Sequence, residues 1–385
     1  MHYFTTLPPL SLYIHLPWCI RKCPYCDFNS HTAPSILPEH TYVDALLNDL
    51  AQELDKVVGR PLTSIFIGGG TPSLFSAEAL HGLLAGIQGL LPFSKDCEIT
   101  LEANPGTVEQ TRFADFKSIG INRLSIGVQS FQDDKLKTLG RIHDGKTAQT
   151  AIAIAHQAGF KNFNIDLMYG LPHQSINDAL HDLETAIQLN PQHLSCYQLT
   201  LEPNTLFYKQ PPPLPADDTI WEMQQALQAR LQSAGFNQYE VSAYSKANCQ
   251  CQHNRNYWEF GDYLGIGAGA HSKLTNLTQQ QITRSWKYKH PTIYLDSSKP
   301  FTEGEKIINT IDLPFEFMLN ALRLYQAIPF TLFETRTGLT HDSILAPLAK
   351  GQQQGLLSFT DKEIFLTAQG WNFLNDVLQL FMIKA

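Results

Sequence analysis

Ser64-Ile65-Phe66-Ile67 runs directly into Gly68-Gly69-Gly70-Thr71. A short, nearly continuous apolar run of this kind suits a strand in a sheet covered on both faces. The glycines that close it let backbone approach a neighbour or a ligand closely, and their N–H groups can grip a carboxylate or an amino-acid head. Taken alone, such a run marks a turn as readily as a site. The same grammar recurs along the chain. β-prone runs at 11–16, 64–67, 98–102, 123–128, 163–168 and 193–199 alternate with segments of helical apolar spacing at 42–57, 77–90, 146–158, 177–189 and 219–234. Alternating βα units predict a parallel sheet with helices outside.

Each run ends in glycine or polar residues. A cysteine loop follows the first, the glycines the second, and Glu102-Ala103-Asn104 the third. Gln129 follows the fourth, Asp166 lies in the fifth, and Gln198, Thr200 and Glu202 close the sixth. In β/α barrels the C-terminal rim carries the chemistry. The fold class expected is therefore α/β, a partial (β/α)6 barrel of the TIM type whose missing units leave a wide lateral mouth. A doubly wound sheet is the alternative, since periodicity alone does not close a barrel.

The proline-rich KQPPPLP at 209–215 reads as a stiff connection before the last barrel helix. From 239 to 298 the pattern is irregular and rich in aromatic and polar residues. A helix is expected near 305–324, then two short ones, a hairpin at 356–366 around Thr360-Asp361, and a final helix at 367–381. The division expected is a barrel at 1–238, a connecting region at 239–300, and a mainly helical, winged-helix-like domain at 301–385.

Of 385 residues, 43% are apolar and 17% charged, an ordinary globular balance. A net charge of −8 argues against nucleic acid as a partner, and makes docking or a lid the expected role of the C-terminal module. No apolar run reaches the roughly 18 residues of a membrane span. The first ten residues lack a secretory pattern. A cytoplasmic protein is expected, with peripheral membrane contact compatible with the sequence. Seven cysteines, an odd number with three inside eight positions, make a poor disulfide framework and a good metal or cluster site.

Those three stand in Cys19-Ile-Arg-Lys-Cys23-Pro-Tyr-Cys26. Soft thiolates select zinc, Cu(I) or iron–sulfur clusters. Structural zinc normally takes four ligands in two knuckles, and no second knuckle lies nearby. Three thiolates on one loop can hold three corners of a [4Fe–4S] cubane. The open iron could then take the amino and carboxylate groups of S-adenosylmethionine.

The C-x3-C-x2-C spacing after a first strand, followed by GGGTP after the second, resembles the radical S-adenosylmethionine superfamily. Tyr13-Ile-His-Leu-Pro-Trp-Cys19 resembles its oxygen-independent coproporphyrinogen III oxidase group. LEANPG at 101–106, GVQSF at 127–131, LGRIH at 139–143 and DLMYGLPHQ at 166–174 are similar to that group's blocks in the same order. His253-Asn-Arg-Asn-Tyr-Trp258 resembles a motif of the group's haem-chaperone branch.

The resemblance implies roles for single residues. Cys19, Cys23 and Cys26 would hold the cluster. Gly69, Gly70 and Thr71 would contact S-adenosylmethionine. Tyr25 would pack on adenine, and Tyr13 would place its hydroxyl near cluster or ligand. Glu102 would pair with the ligand's ammonium, Gln129 and Asp166 with ribose hydroxyls, and Arg141 with the methionyl carboxylate.

His253 is the expected haem ligand, beside the flat surfaces of Tyr257 and Trp258, and His271 a second candidate. His15 reads either as a rim residue or as packing. Cys97 and Cys196 read as core. Cys249 and Cys251 stand near His253 but outside its motif, and are read as structural or incidental thiols, with a second metal site as the alternative. The glycines of Tyr263-Leu-Gly-Ile-Gly-Ala-Gly-Ala-His271 lack a βαβ setting and read as close-packing positions against the barrel mouth.

Two departures separate the chain from the oxidases it resembles. Phe28 stands where they have a fourth cysteine, and only 18 residues precede Cys19 where they have a longer extension. The expected function is therefore haem binding and delivery to an acceptor protein, for which a respiratory membrane protein is one candidate. Radical decarboxylation of coproporphyrinogen III propionates is the alternative, and a zinc protein a more distant one. Flavodoxin or ferredoxin would supply the electron for either radical reaction. Whether the cofactor is cleaved, whether haem is attached covalently, and whether the chain forms a homodimer are left open by the sequence.

Overall fold

The computed structural model describes residues 3–57, 59–106 and 112–382. Six strands lie side by side in chain order: β1 (Leu10–Leu16), β2 (Leu62–Gly69), β3 (Phe93–Ala103), β4 (Arg123–Gln129), β5 (Phe163–Tyr169) and β6 (His193–Gln198). Every neighbouring pair is parallel. A doubly wound sheet would reverse its order at a switch point; this one does not, so the chain winds one way as a partial barrel. Side chains from β2 through β6 line a single cavity, which fixes the concave side.

Helices return the chain between strands, and local chemistry starts them cleanly. The Ser76 hydroxyl accepts the Ala79 N–H at the head of Ala77–Leu90. Ser175 and Asp178 form a reciprocal capping box on Ile176–Gln188. In Ala77–Leu90 the buried Leu80, Leu83, Leu84 and Ile87 repeat at helical spacing. They pack in one core with the outward-facing Ile65, Ile67, Leu101 and Ile126.

The strands themselves are two-faced. In β2, Ile65 and Ile67 point out to the helices, whereas Ser64 and Phe66 point into the lumen. Arg123, Ser125, Asn164, Asp166, His193 and Ser195 continue the inward set. The expectation of strands apolar on both faces is corrected: period-two alternation is present, and the lumen is polar.

The 239–298 stretch is not irregular. Strand β7 (Ala243–Ser245) pairs antiparallel with β6. Strand β8 (Asp262–Ile266) pairs parallel with β1, and a meander of β9 (His271–Asn276), β10 (Gln281–Lys287) and β11 (Thr302–Ile307) continues the sheet beyond it. The segment 302–307 was expected to lie partly in a helix and is instead an exposed edge strand. Its polar TEGEKI carries no apolar period of either kind.

C-terminal to the meander, the helices Leu313–Ala321, Phe330–Thr337 and Leu345–Gln353 pack with a small three-stranded sheet. The hairpin Leu357–Phe359 with Glu363–Leu366 turns at Thr360-Asp361 as the sequence indicates. The last helix is broken at Phe373 into Ala368–Asn372 and Leu374–Gln379. This module has its own core around Phe317, Phe333, Leu348 and Ile364, which also takes in Phe4 and Phe260.

A buried ion cluster clamps the meander to the first barrel helix, Glu39–Glu53. The Lys287 ammonium lies 2.6 Å from Asp49 Oδ1 and 2.7 Å from Glu53 Oε1, with 1% of its side chain exposed. The Tyr294 hydroxyl donates to Asp49 Oδ2 at 2.7 Å. Removing one partner of a desolvated pair strands the other charge. Lys287→Ala is therefore expected to lower unfolding free energy by about 3–5 kcal/mol in a urea titration. A change within the range of a surface pair, ~1 kcal/mol or less, would contradict this reading of the clamp.

Candidate functional site

Beyond β1, Trp18–Cys19 pairs with His31–Thr32, so the cysteine loop is closed at its base. Trp18 is wedged against Tyr42 at 4.7 Å and Phe75 at 6.0 Å between ring centroids. The glycines after β2 lie directly beneath. Gly70 N–H donates to Leu16 O and Thr71 N–H to Trp18 O, each at 2.8 Å. A Cβ on Gly70 would fall 2.5 Å from Trp18 O, and one on Gly69, at φ +117°, 2.6 Å from the His15 ring. The run is therefore required by the loop it supports. Gly69 N–H is already spent on Glu102 Oε2 at 3.0 Å.

All three loop cysteines are free thiols facing one cavity of about 280 Å³. Among the described residues, no three His, Cys, Asp or Glu side chains converge as ligands of a single ion. The thiols instead surround a space. Burial raises the pKa of Cys19 and Cys26, so a cationic centre is what would stabilise their thiolates. The Arg141 guanidinium lies 3.8 Å from Cys23 Sγ.

The cavity also collects Tyr25, Gly69, Gly70, Thr71, Glu102, Gln129, Arg141 and Asp166, all anticipated from the sequence. Burial, then nearby Asp166, pushes Glu102 up to about 7 despite the Gly69 N–H. Burial likewise raises Asp166, which accepts from Asn164 Nδ2 at 2.7 Å and Ser125 Oγ at 3.3 Å. Arg123 offsets part of the Asp166 shift, whereas no cation among the described residues faces Glu102, which a cationic partner would therefore stabilise in its ionised form.

Arg141 donates to Asn104 Oδ1 at 2.7 Å and Gly127 O at 2.6 Å, while its buried Nε has no hydrogen-bond partner. An orphan donor of this kind suits an anionic group. Gln129 sits at a bulge with φ 72°, an uncommon conformation for a side-chain-bearing residue. Its Oε1 accepts from the Tyr197 hydroxyl at 2.6 Å. Tyr25 lies against Phe207 at 6.4 Å. Thiols, acid, base and aromatic ring thus fit a cluster bearing an amino-acid-headed nucleoside.

Tyr13 lies elsewhere. Its hydroxyl donates to His15 Nδ1 at 3.0 Å, and His15 Nε2–H donates to Asn29 O at 2.8 Å. Both belong to the wall of a second, outer chamber of about 550 Å³, lined also by Tyr257, Trp258, Tyr263, His271 and Lys289. Phe28, Gly69 and Glu102 border both chambers.

His253 does not face either chamber. The helix Gln252–Trp258 closes the lumen at the N-terminal ends of the strands, where Glu98 accepts the N–H groups of Gln252 and His253 at 3.2 Å. His253 is 1% exposed. Its Nδ1 bonds Ser64 Oγ at 3.0 Å and its Nε2 the Tyr257 hydroxyl at 2.9 Å. Burial, then Arg123, lowers its pKa to about 3.

The sequence expects His253 to face haem; the structure places it with both nitrogens bonded within the barrel floor. Asn256, from the same motif, donates to Ser11 Oγ and Asp262 O. Cys251 donates its buried thiol to Glu98 at 3.5 Å, whereas Cys249 is half-buried.

The sequence reading missed Arg123, Asn164 and His193, which furnish the lower cavity wall. Polar residues at every second strand position, such as Asn164 and Asp166 or His193 and Ser195, were the available signal.

The pattern of the Radical SAM superfamily matches residues 13–186, and that of the HemN C-terminal domain matches 308–373. The heme chaperone HemW of Escherichia coli is 50% identical over 378 residues, spanning 98% of this chain and 99% of its own. HemW of Haemophilus influenzae is 51% identical over 382 residues, with coverage of 98% and 99%. The solved structure of the radical SAM enzyme coproporphyrinogen III oxidase (HemN) from Escherichia coli superposes with a TM-score of 0.82. It covers 97% of this chain and 90% of that one at 23% identity, a likeness of fold. With both domain patterns in place and half its residues shared end to end with these relatives, the chain belongs to the HemW family of radical SAM proteins.

Proposed function

We propose that this chain binds haem and passes it to an acceptor protein, carrying a [4Fe–4S] cluster on Cys19, Cys23 and Cys26 with S-adenosylmethionine beside it. The observation that supports this is the full-length identity of 50% to a relative named as a heme chaperone. The likeness to the oxidase, at 23% identity, bears on fold alone.

When bound, the cluster supplies an electron to S-adenosylmethionine, drawn in turn from a flavodoxin or ferredoxin. The chain's residues hold and orient. Arg141 lies against Cys23 and offers its Nε to the methionyl carboxylate. Glu102 takes the ammonium, Gln129 and Asp166 take ribose hydroxyls, and Tyr25 covers the base. The tight backbone contact of Gly70 with Trp18 keeps Thr71 and the cysteine loop in register.

No helix among the described residues is long and apolar enough to cross a membrane. We place the protein in the cytoplasm, with a membrane-bound respiratory protein among the candidate acceptors.

Anaerobic reconstitution followed by haem titration tests the function. Stoichiometric haem uptake without conversion of coproporphyrinogen III is the expected outcome, and turnover to protoporphyrinogen IX would overturn it. Cys19→Ser is expected to lose the cluster's absorbance and most of its iron; a full complement would refute the ligand set.

Glu102 gives a pH signature. Only its ionised form pairs with an ammonium, so below its folded pKa of about 7 binding must expel a proton. Affinity for S-adenosylmethionine, measured by calorimetry, is expected to fall as pH drops below 7, by up to about tenfold per pH unit. Glu102→Gln is expected to flatten that slope and weaken binding throughout.

A further inference from the structure

The outer chamber, of about 550 Å³, falls within the span of about 300–1,000 Å³ usual for cofactor-sized ligands. Its wall is aromatic, with Tyr257 and Tyr263 meeting edge to face at 4.4 Å and Trp258 beside them. Phe28, 59% exposed, borders the chamber on the side of the cysteine loop. Flat apolar surfaces of this kind match a planar macrocycle. Two charged side chains reach the rim: the Lys289 ammonium, suited to a carboxylate, and the exposed Asp27.

Two histidines line the chamber. His15 has both nitrogens bonded, to Tyr13 and to Asn29. His271 is exposed, and neither of its ring nitrogens has a hydrogen-bond partner among the described residues.

Its place is rigidly set. A Cβ on Gly265 would fall 2.1 Å from His271 O, one on Gly267 2.3 Å from His15 O, and one on Gly269 2.4 Å from Asn29 Nδ2. The glycine run thus serves to seat the His271 turn against β1 and the cysteine loop. Asn29 seals the joint, donating to Ala268 O and Lys289 O at 2.8 Å each. Partial desolvation of the ring, with Lys289 and Arg284 nearby, lowers the His271 pKa, which keeps a lone pair on the ring for a metal.

We infer that the outer chamber is the haem-docking site, with the His271 imidazole as axial ligand and Lys289 facing a propionate. This rests on the reading that the chain binds haem at all. It moves the ligand from the buried floor helix to the rim next to the cofactor cavity, from which the shared wall of Gly69, Glu102 and Phe28 separates it.

The test is a haem titration of the full-length, anaerobically reconstituted protein, followed by Soret absorbance and by electron paramagnetic resonance of the ferric iron. His271→Ala is expected to weaken haem binding at least tenfold and to shift the Soret band, with added imidazole restoring the wild-type spectrum. Wild-type protein that takes up no haem would refute the chaperone reading. Wild-type uptake with unchanged affinity and spectrum in His271→Ala would overturn only the present inference. So would a loss that imidazole fails to repair.

Discussion

A β-strand sends alternate side chains to opposite faces, and in this barrel that alternation divides the molecule. Outward positions are leucine, isoleucine and valine held under helices. Inward positions are mainly serine, asparagine, arginine, histidine and carboxylate, with Phe66 and Tyr197 among them. A polar lumen cannot stay unpaired once buried. The lower layer is tied to the floor helix through Glu98, Ser64 and Ser11, although the buried Arg123 Nε and Thr100 Oγ1 make no hydrogen bond. The upper layer holds the raised-pKa carboxyls of Glu102 and Asp166 and an unpaired Arg141 Nε.

The glycines and the cysteines form one construction. Backbone at Gly70 touches backbone at Pro17 and Trp18, and Thr71 hydrogen-bonds across the same gap. The C-terminal rim is thereby compressed into a shelf under the cysteine loop. A second glycine series, at 265, 267 and 269, does the same on the other side of β1 and brings His271 to the opening. Both series trade side-chain volume for close approach. The loop from Cys19 to Thr32 is shared between them, since its Asn29 is hydrogen-bonded to the His271 turn. The inner cavity and the outer chamber therefore have a common mechanical border.

By itself the sequence determined the βα alternation, the six strands, the cysteine loop and the strand-end residues at the upper rim of the inner cavity, though not its lower wall of Arg123, Asn164 and His193. These depend on local pattern, and a barrel's winding places every strand end on one rim. The polar alternation of the lumen is also written in the sequence, in pairs such as Asn164 and Asp166, but it is masked by the leucine and isoleucine that fill the positions between them.

Only tertiary structure decided the rest. The meander from 262 to 307 has short, polar strands whose stability comes from pairing with β1 and from the buried Lys287 cluster, not from any periodicity of their own. Tyr13 lines the outer chamber and not the inner cavity, with its hydroxyl bonded to His15. His253 and His271 looked alike as residues beside aromatic neighbours. What distinguishes them is burial and hydrogen bonding. Ser64 and Tyr257 occupy both nitrogens of His253, and they come from β2 and from the next turn of its own helix. His271 is left at the rim with its nitrogens open, because the glycines around it admit only backbone. A ligand's availability is a property of its surroundings, and those are assembled only when distant strands meet.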